Sequence, residues 1–152
     1  MTGRLIGIAR VHEKRAALEQ CPSADVSVAR GIAGDVRGAS SGRQVTVLFR
    51  EGWDDACGEL GVPLPWVMRR ANLFVEGIER PRRVGDLLQI GGIVLAVREE
   101  TTPCNLMELA HRSLRRALKP DWRGGVCCDV VSGGTIRVGD PVLLAATELV
   151  AR

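Results

Sequence analysis

The chain has 152 residues, of which 45% are hydrophobic, and a net charge of +3, which suits one domain with a sizeable buried core. No apolar run approaches the ~20 residues that span a bilayer and no signal-peptide pattern is present, so we expect a cytoplasmic protein without a membrane partner. Aromatic residues make up 3% and tyrosine is absent, which argues against stacking on nucleic-acid bases.

Short apolar segments separated by glycine and proline predict a mostly β protein. The predicted strands cover residues 5–11, 25–29, 44–49, 72–76, 86–90, 93–98, 126–131, 135–138 and 142–147. Helices are predicted near residues 51–60 and from Cys104 to just before Pro120. We expect a two-residue hairpin turn at residues 91–92 and a similar turn at residues 132–134. Such a pattern favours a closed or nearly closed β-barrel with a few short helices, formed by residues 1–152 as a single domain.

The five cysteines are odd in number and have no metal-binding spacing. Cys127 and Cys128 are adjacent in a predicted strand, so their side chains should face opposite ways. We therefore expect a reducing compartment, and neither a disulfide framework nor a zinc site.

Cys104 lies where a predicted strand ends and a predicted helix begins. Pro103 disfavours helix before the thiol, and apolar residues recur at helical spacing from Leu106 onward. The positive end of the helix dipole would favour the thiolate, which is the form that attacks electrophiles and binds soft metals. Alternatively, the thiol is a small apolar plug at the joint, since free cysteine is commonly buried and inert.

The loop over residues 31–42 carries glycines at positions 31, 34, 38 and 42, with Arg37 and Arg43 beside them. It could cradle an anion between backbone N–H groups and the two arginines, or it could be a crossover that needs positive φ angles. The spacing matches neither a dinucleotide fingerprint nor a P-loop. We expect Asp35 to brace this loop by accepting backbone N–H bonds rather than to act in acid–base catalysis, because no histidine partner is indicated.

Three blocks surround Cys104 in a recognisable order. They read RGIAGDVRG (residues 30–38) with GRQVT (42–46), RANLFVEG (70–77), and RGGV (123–126) with GGTIRVGD (133–140). Together with Pro103-Cys104 they resemble the MOSC domain, named for the C-terminal part of molybdenum cofactor sulfurases. The resemblance runs from about Ile6 to about Val142 and also implies a β-barrel.

The resemblance implies a concrete chemistry. In characterised relatives the matching cysteine looks like the protein ligand of molybdenum, and the dithiolene of a molybdopterin holds the metal as well. Such enzymes reduce N-hydroxylated compounds. By this resemblance Cys104 would be the metal ligand and the catalytic residue. The residues implied for the cofactor are Arg37, Arg43 and Arg70 for its phosphate, and Asn72, Thr102 and Asn105 for polar contacts. Arg70 and Asn72 alternate along a predicted strand, so they should share one face; there they would hold the pterin or form a hydrogen-bond network at the rim.

The chain departs from some relatives, which carry an extra N-terminal barrel or a helical C-terminal extension. It has no ferredoxin-type cysteine spacing, so electrons would come from a separate donor protein, and a second subunit in a homodimer could complete the pocket. Arg112, Arg115 and Arg116 could attract an acidic donor, or they could form a solvated helix face. Two other functions stay open: a sulfur carrier or cofactor-handling module with a Cys104 persulfide, and a non-catalytic accessory domain whose cysteine is structural.

Overall fold

A computed structural model describes residues 2–145, and the described chain is mostly β. Its strands are β1 (Gly3–Arg10), β2 (Glu19–Gln20), β3 (Ser23–Ser27), β4 (Gly31–Ile32), β5 (Val45–Phe49), β6 (Leu73–Glu76), β7 (Leu87–Ile90), β8 (Ile93–Glu100), β9 (Val126–Ser132), β10 (Gly134–Arg137) and β11 (Pro141–Ala145). Its α-helices are α1 (Arg50–Leu60), α2 (Asn105–Ala110) and α3 (Leu114–Ala117), and single 3₁₀ turns lie at Trp66–Arg69 and Pro120–Trp122. The last predicted strand extends to residue 147, and its final two residues lie outside the described residues.

Seven strands close into a barrel, as the sequence predicts. Their order is β11-β7-β8-β9-β5-β6-β1, and β1 pairs with β11 to complete the ring. The β5–β6 pair is parallel, and the other neighbouring pairs of the ring are antiparallel. The ring leaves its strands without open edges, which is the usual way in which an antiparallel sheet avoids exposed edge groups.

The alternation of side chains along β5 explains how the barrel carries a site on its outer wall. Val45, Val47 and Phe49 belong to the core inside the barrel, whereas Thr46 and Leu48 point outward because successive side chains of a strand face opposite ways. Leu48 packs in a second apolar cluster between the barrel wall and the helices. The helices are therefore fixed against the outside of the barrel.

The second apolar cluster anchors the segment that follows β8. Met107 from α2 and Leu114 from α3 are both buried in it, together with Trp53 from α1. Trp66 and Phe74 stack within the same region, with ring centroids 5.0 Å apart. Aromatic pairs at this separation are stabilised beyond their buried area by roughly 0.5–1.5 kcal/mol.

The prediction of one continuous helix after Cys104 is wrong. The segment consists of two short helices, because Ser113 adopts a left-handed conformation (φ 69°) between α2 and α3. The backbone N–H of Ser113 donates to the Glu108 carboxylate at 2.9 Å, which satisfies a donor at the break. A serine rarely enters this region, and nothing in the apolar spacing signals the break.

The two predicted turns have different outcomes. The turn at residues 91–92 is confirmed, because Ile90 pairs with Ile93 across it and Gly91 has a φ of 51°. The turn at residues 132–134 does not close a hairpin, because β10 pairs with β3 in a separate three-stranded sheet, ordered β10-β3-β4. This pairing is between segments far apart in the chain, and local turn residues do not reveal it.

Candidate functional site

The segment from β8 to α2 presents Cys104 at the surface. Backbone N–H of Thr101 donates to the carbonyl of Gly125 at 2.9 Å, Pro103 is buried, and Cys104 caps α2 in an extended conformation (φ −110°, ψ 179°). The thiol is exposed, whereas the other four cysteines are buried or half-buried. The alternative in which Cys104 is an apolar plug is therefore not supported.

Cys104 opens on a cavity of about 330 Å³ on the outer barrel wall, at the small end of the range for ligand sites. We call it the Cys104 cavity. Its lining residues are Val11, Lys14, Arg15, Val36, Arg37, Thr46, Arg69, Arg70, Cys104, Leu106 and Met107. The lining combines basic side chains with aliphatic ones and contains no carboxylate, so it suits a ligand that is anionic and partly apolar.

A buried carboxylate behind the cavity holds the first arginine. Asp35 accepts from the Arg37 backbone at 2.9 Å and from Arg37 Nε and Nη2 at 3.1 and 2.9 Å. It also accepts from the backbone N–H of Val11 at 3.1 Å. Burial by itself would raise the pKa of Asp35, but the hydrogen bonds and charge of Arg37 outweigh it, and the pKa lies below its ordinary value. The predicted bracing role of Asp35 is confirmed.

Arg37 has donors left after this pairing. Its Nη1 donates to the carbonyl of Arg70 at 2.7 Å, so three of the five N–H groups of its guanidinium are used within the protein. The remaining two N–H groups belong to the terminal nitrogens. Arg37 is therefore fixed in place and still able to donate to a ligand in the cavity.

Arg69 and Arg70 enter the cavity together because of a backbone turn. Arg70 adopts a left-handed conformation (φ 63°) after the 3₁₀ turn that ends at Arg69, and its Nη2 donates to the carbonyl of Ala16 at 2.8 Å. Burial lowers the pKa of both guanidinium groups. The prediction that Arg70 lies in a strand with Asn72 is wrong, because β6 begins at Leu73.

Asn72 supports the cavity from behind and does not line it. Its Nδ2 donates to Asp35 at 2.8 Å and to the Ala9 carbonyl at 3.1 Å, and its Oδ1 accepts from the backbone N–H of Thr46 at 3.0 Å. The side chain is buried, and its amide joins β1, β5 and the Asp35 loop. Of the two interpretations of Asn72, the hydrogen-bond network fits this geometry.

The other predicted contacts lie apart from the cavity lining. Arg43 is exposed and its Nε donates to Glu99 at 2.8 Å. Thr102 and Asn105 are exposed next to Cys104 and are not among the lining residues. The sequence places these three near the site without indicating where their side chains point.

The glycine-rich loop is explained largely by close packing of the backbone. A Cβ on Gly38 would overlap the carbonyl oxygen of Arg30, and Gly31 has a φ of 64° with the carbonyl of Gln44 nearby. These contacts favour the crossover interpretation of the loop, since only glycine fits both requirements. Of its two arginines, only Arg37 reaches the cavity.

Three basic residues of the cavity were not predicted from the sequence: Lys14, Arg15 and Arg69. Arg69 adjoins Arg70 in the sequence, and this pair of basic residues is the signal that could have pointed to it. Among residues 2–145, no group of three or more His, Cys, Asp and Glu side chains could hold a metal ion. No helix in the same range is long and apolar enough to cross a membrane.

Comparisons with known proteins agree with the resemblance. A family model for the MOSC domain matches residues 34–143. The fold is similar to that of YuaD from Bacillus subtilis, with a TM-score of 0.81 and 20% identity over 96% of this chain and 97% of that one. It is also similar to YiiM from Geobacillus stearothermophilus, with a TM-score of 0.68 and 17% identity over 94% of this chain and 73% of that one. YiiM from Escherichia coli gives 0.67 and 16% over 94% and 70%. Comparison with curated protein sequences gave no match.

Proposed function

Because this chain belongs to the MOSC domain family, we propose that it binds a molybdenum–molybdopterin cofactor with Cys104 as the protein ligand and reduces N-hydroxylated compounds. The observation that carries the proposal is the Cys104 cavity, in which one exposed thiol adjoins a wall of basic side chains. Thiolate suits a soft metal, and arginine forks suit phosphate.

The residues present fit such a group. A metal held by a dithiolene needs few further protein ligands, and one accessible thiol is what this cavity offers. The lining contains basic residues and no acidic one. The nearby carboxylate of Asp35 is buried behind the wall, where it pairs with Arg37. Arg37 and Arg70 would bind the phosphate, and Thr102 and Asn105 would offer polar groups beside the thiol. Arg43 and Asn72 are engaged elsewhere, so we do not assign them to the cofactor.

In this arrangement the cofactor and the protein would have separate roles. When bound, the cofactor would supply the redox chemistry. The chain's own residues would hold it by the Cys104 thiolate, orient it by charged hydrogen bonds from Arg37 and Arg70, and limit water through the aliphatic side of the cavity at Val36 and Leu106. Electrons would come from a separate donor protein.

The test is molybdenum and pterin analysis of protein produced in a cofactor-making host. We expect wild-type protein to retain both, and Cys104→Ser to lose molybdenum with its fold intact. Cys21→Ser is the matched control because Cys21 is only half-buried and lies outside the cavity lining. Normal metal content in Cys104→Ser, or its loss in the control, would overturn the ligand assignment.

A second pair of variants tests the phosphate contacts. Arg37→Ala should lower pterin content, because it removes a fixed donor from the cavity wall. Arg43→Ala should leave pterin content unchanged, because its side chain is exposed and pairs with Glu99. Equal loss in both variants would mean that overall charge, and not the Arg37 contact, governs binding.

The exposure of Cys104 also favours a second candidate, a sulfur carrier. A carrier needs one accessible thiol that can hold a persulfide, and Cys104 alone among the five cysteines is exposed. Mass spectrometry separates the candidates: a gain of one sulfur atom at Cys104 without molybdenum supports the carrier, and molybdenum with pterin supports the reductase. If neither molybdenum nor an added sulfur atom is found, the result favours a non-catalytic accessory domain.

A further inference from the structure

Arg69 is a buried basic residue of the cavity lining, whereas Lys14 and Arg15 are exposed. It is buried, with 9% of its surface exposed, and its Nε donates to the carbonyl of Gly124 at 3.1 Å. Within residues 2–145, its terminal Nη atoms have no hydrogen-bond or ion-pair partner in the protein. These nitrogens are not among the fully buried unpartnered atoms of the described chain, which belong to Arg80 and Arg123. They are therefore accessible from the cavity, where an anion from outside the chain could pair with them.

Arg69 lies on the thiol side of the cavity. Burial lowers its pKa, while the thiol groups of Cys127 and Cys104 act in the opposite direction. Arg37 acts on both arginines, whereas Asp35 acts on Arg70 and not on Arg69. Of the two adjacent arginines, which both line the cavity, Arg69 is therefore the one whose charge interacts with the Cys104 thiol.

The rest of the cavity indicates what the anion is attached to. Val11, Val36, Leu106 and Met107 line it with aliphatic groups, and Leu106 remains exposed at its edge. A volume of about 330 Å³ admits a small organic molecule. A free inorganic ion would leave this aliphatic surface without a partner.

We propose that Arg69 determines substrate specificity by binding an anionic group (a carboxylate, sulfonate or phosphate) on a small organic substrate that enters the Cys104 cavity. The inference rests on the proposed function, because it names the substrate class of the same site. It differs from the cofactor contacts, which we assign to Arg37 and Arg70. A hydrogen bond to a charged group contributes about 1.5–3 kcal/mol, so Arg69 would favour anionic over neutral substrates by roughly tenfold or more.

The test uses Cys104 itself as a reporter in cofactor-free protein. Alkylation rates with anionic iodoacetate and neutral iodoacetamide are measured at Cys104, with Cys21→Ser present in every variant to remove the half-buried competitor. Both reagents attack the same thiolate, so their rate ratio cancels any change in the ionised fraction. The ratio in denaturant provides the reference without a cavity.

We expect folded wild-type protein to favour iodoacetate relative to that reference. Arg69→Met should lower the ratio about tenfold, whereas Arg69→Lys should keep most of the preference because it keeps the charge. Arg43→Met is the matched control, since it removes an exposed arginine outside the cavity lining. Inorganic sulfate, added at constant ionic strength, should slow iodoacetate in wild-type protein and not in Arg69→Met.

Several outcomes would overturn the proposal. The first is an iodoacetate-to-iodoacetamide rate ratio in folded wild type that equals the ratio in denaturant, and the second is an unchanged ratio in Arg69→Met. The third is an equal fall of the ratio in Arg43→Met, which would mean that the overall positive charge of the protein, and not Arg69, attracts the anionic reagent. If circular dichroism showed Arg69→Met to be unfolded, a ratio in Arg69→Lys close to wild type together with sulfate protection of the wild type would support the proposal, and the lack of either would refute it.

A separate measurement distinguishes the substrate from the cofactor. We expect Arg69→Met produced in a cofactor-making host to retain wild-type pterin content. A loss of pterin would mean that Arg69 binds the cofactor's own phosphate, and the substrate assignment would be wrong. The alkylation assay contains no cofactor, so failure of the proposed reductase function would leave its result unaffected.

Discussion

The pair of Asp35 and Arg37 stabilises both the fold and the cavity, and its contribution can be measured by removing one charge. In Asp35→Asn the side chain keeps its shape, but an amide NH₂ replaces one of the oxygens that accept from Arg37, Asn72 and the Val11 backbone. A donor then faces a donor, and Arg37 loses its buried counter-charge. We therefore expect this variant to be destabilised.

The magnitude follows from burial. Breaking a buried ion pair costs roughly 3–5 kcal/mol, and we expect about 3 kcal/mol here, because the Asp35 side chain is 0% exposed while that of Arg37 is 29% exposed. For a domain of this length each 1 kcal/mol shifts the melting temperature by about 2–4 °C, which gives a fall of roughly 6–12 °C. The exposed pair of Arg43 and Glu99, with side chains 67% and 47% exposed, provides the control: Glu99→Gln should cost less than about 1 kcal/mol.

The pH dependence of the same pair gives an independent check. The pKa of Asp35 is below its ordinary value in the folded protein, so its contribution is complete above the unfolded pKa of about 4 and is lost as pH falls through the folded pKa. The stability difference between wild type and Asp35→Asn, from urea unfolding, should therefore shrink as pH falls below about 4. Equal losses in Asp35→Asn and Glu99→Gln, or a difference independent of pH, would refute the account.

Three further predictions concern the crossover loop and the electron donor. Gly38→Ala should lower the melting temperature strongly, because its Cβ would overlap the Arg30 carbonyl. Gly58→Ala in α1 is the control: nothing lies within 4 Å of its Cβ, so it should be neutral or stabilising by up to about 1 kcal/mol. Similar losses of stability in both variants would contradict the packing argument. Molybdenum-loaded protein should reduce an N-hydroxylated substrate with an artificial one-electron donor and not with nicotinamide alone, since no dinucleotide fingerprint is present. Replacing Arg115 and Arg116 by Glu should weaken turnover with an acidic donor protein and leave the artificial donor unaffected; unchanged turnover with the protein donor would mean that these residues form a solvated face.

Much of the barrel could be predicted from local sequence. Alternation and turn residues identify strands such as β5 and β8 to within a residue or two, because a strand with one face in the core must repeat every second residue. Pairing partners could not be predicted in this way. The partner of β10 is β3, more than a hundred residues earlier in the chain, and that choice depends on how the barrel closes rather than on the glycines beside β10.

The residues of the site differ in the same way, since some could be predicted from local sequence and others could not. Cys104 was predictable because a proline, a cysteine and an apolar helical repeat are adjacent in sequence, and the structure places the thiol at the surface as that pattern suggests. Arg69 was not, because it enters the cavity next to a left-handed Arg70, a conformation that arginine seldom adopts. The carbonyl of Gly124 that accepts from the Nε of Arg69 lies 55 residues further along the chain, and local sequence does not reveal it.

Asn72 shows how a residue can matter to a site that it does not touch. Its amide donates to Asp35 and to the β1 backbone at Ala9 and accepts from Thr46 in β5, so it fixes three separate segments relative to one another. Asp35 in turn fixes Arg37, and Arg37 fixes the backbone of Arg70 through its carbonyl. The positions of two cavity arginines thus depend on one buried amide. Losing this amide would therefore displace the binding groups as well as weaken the fold.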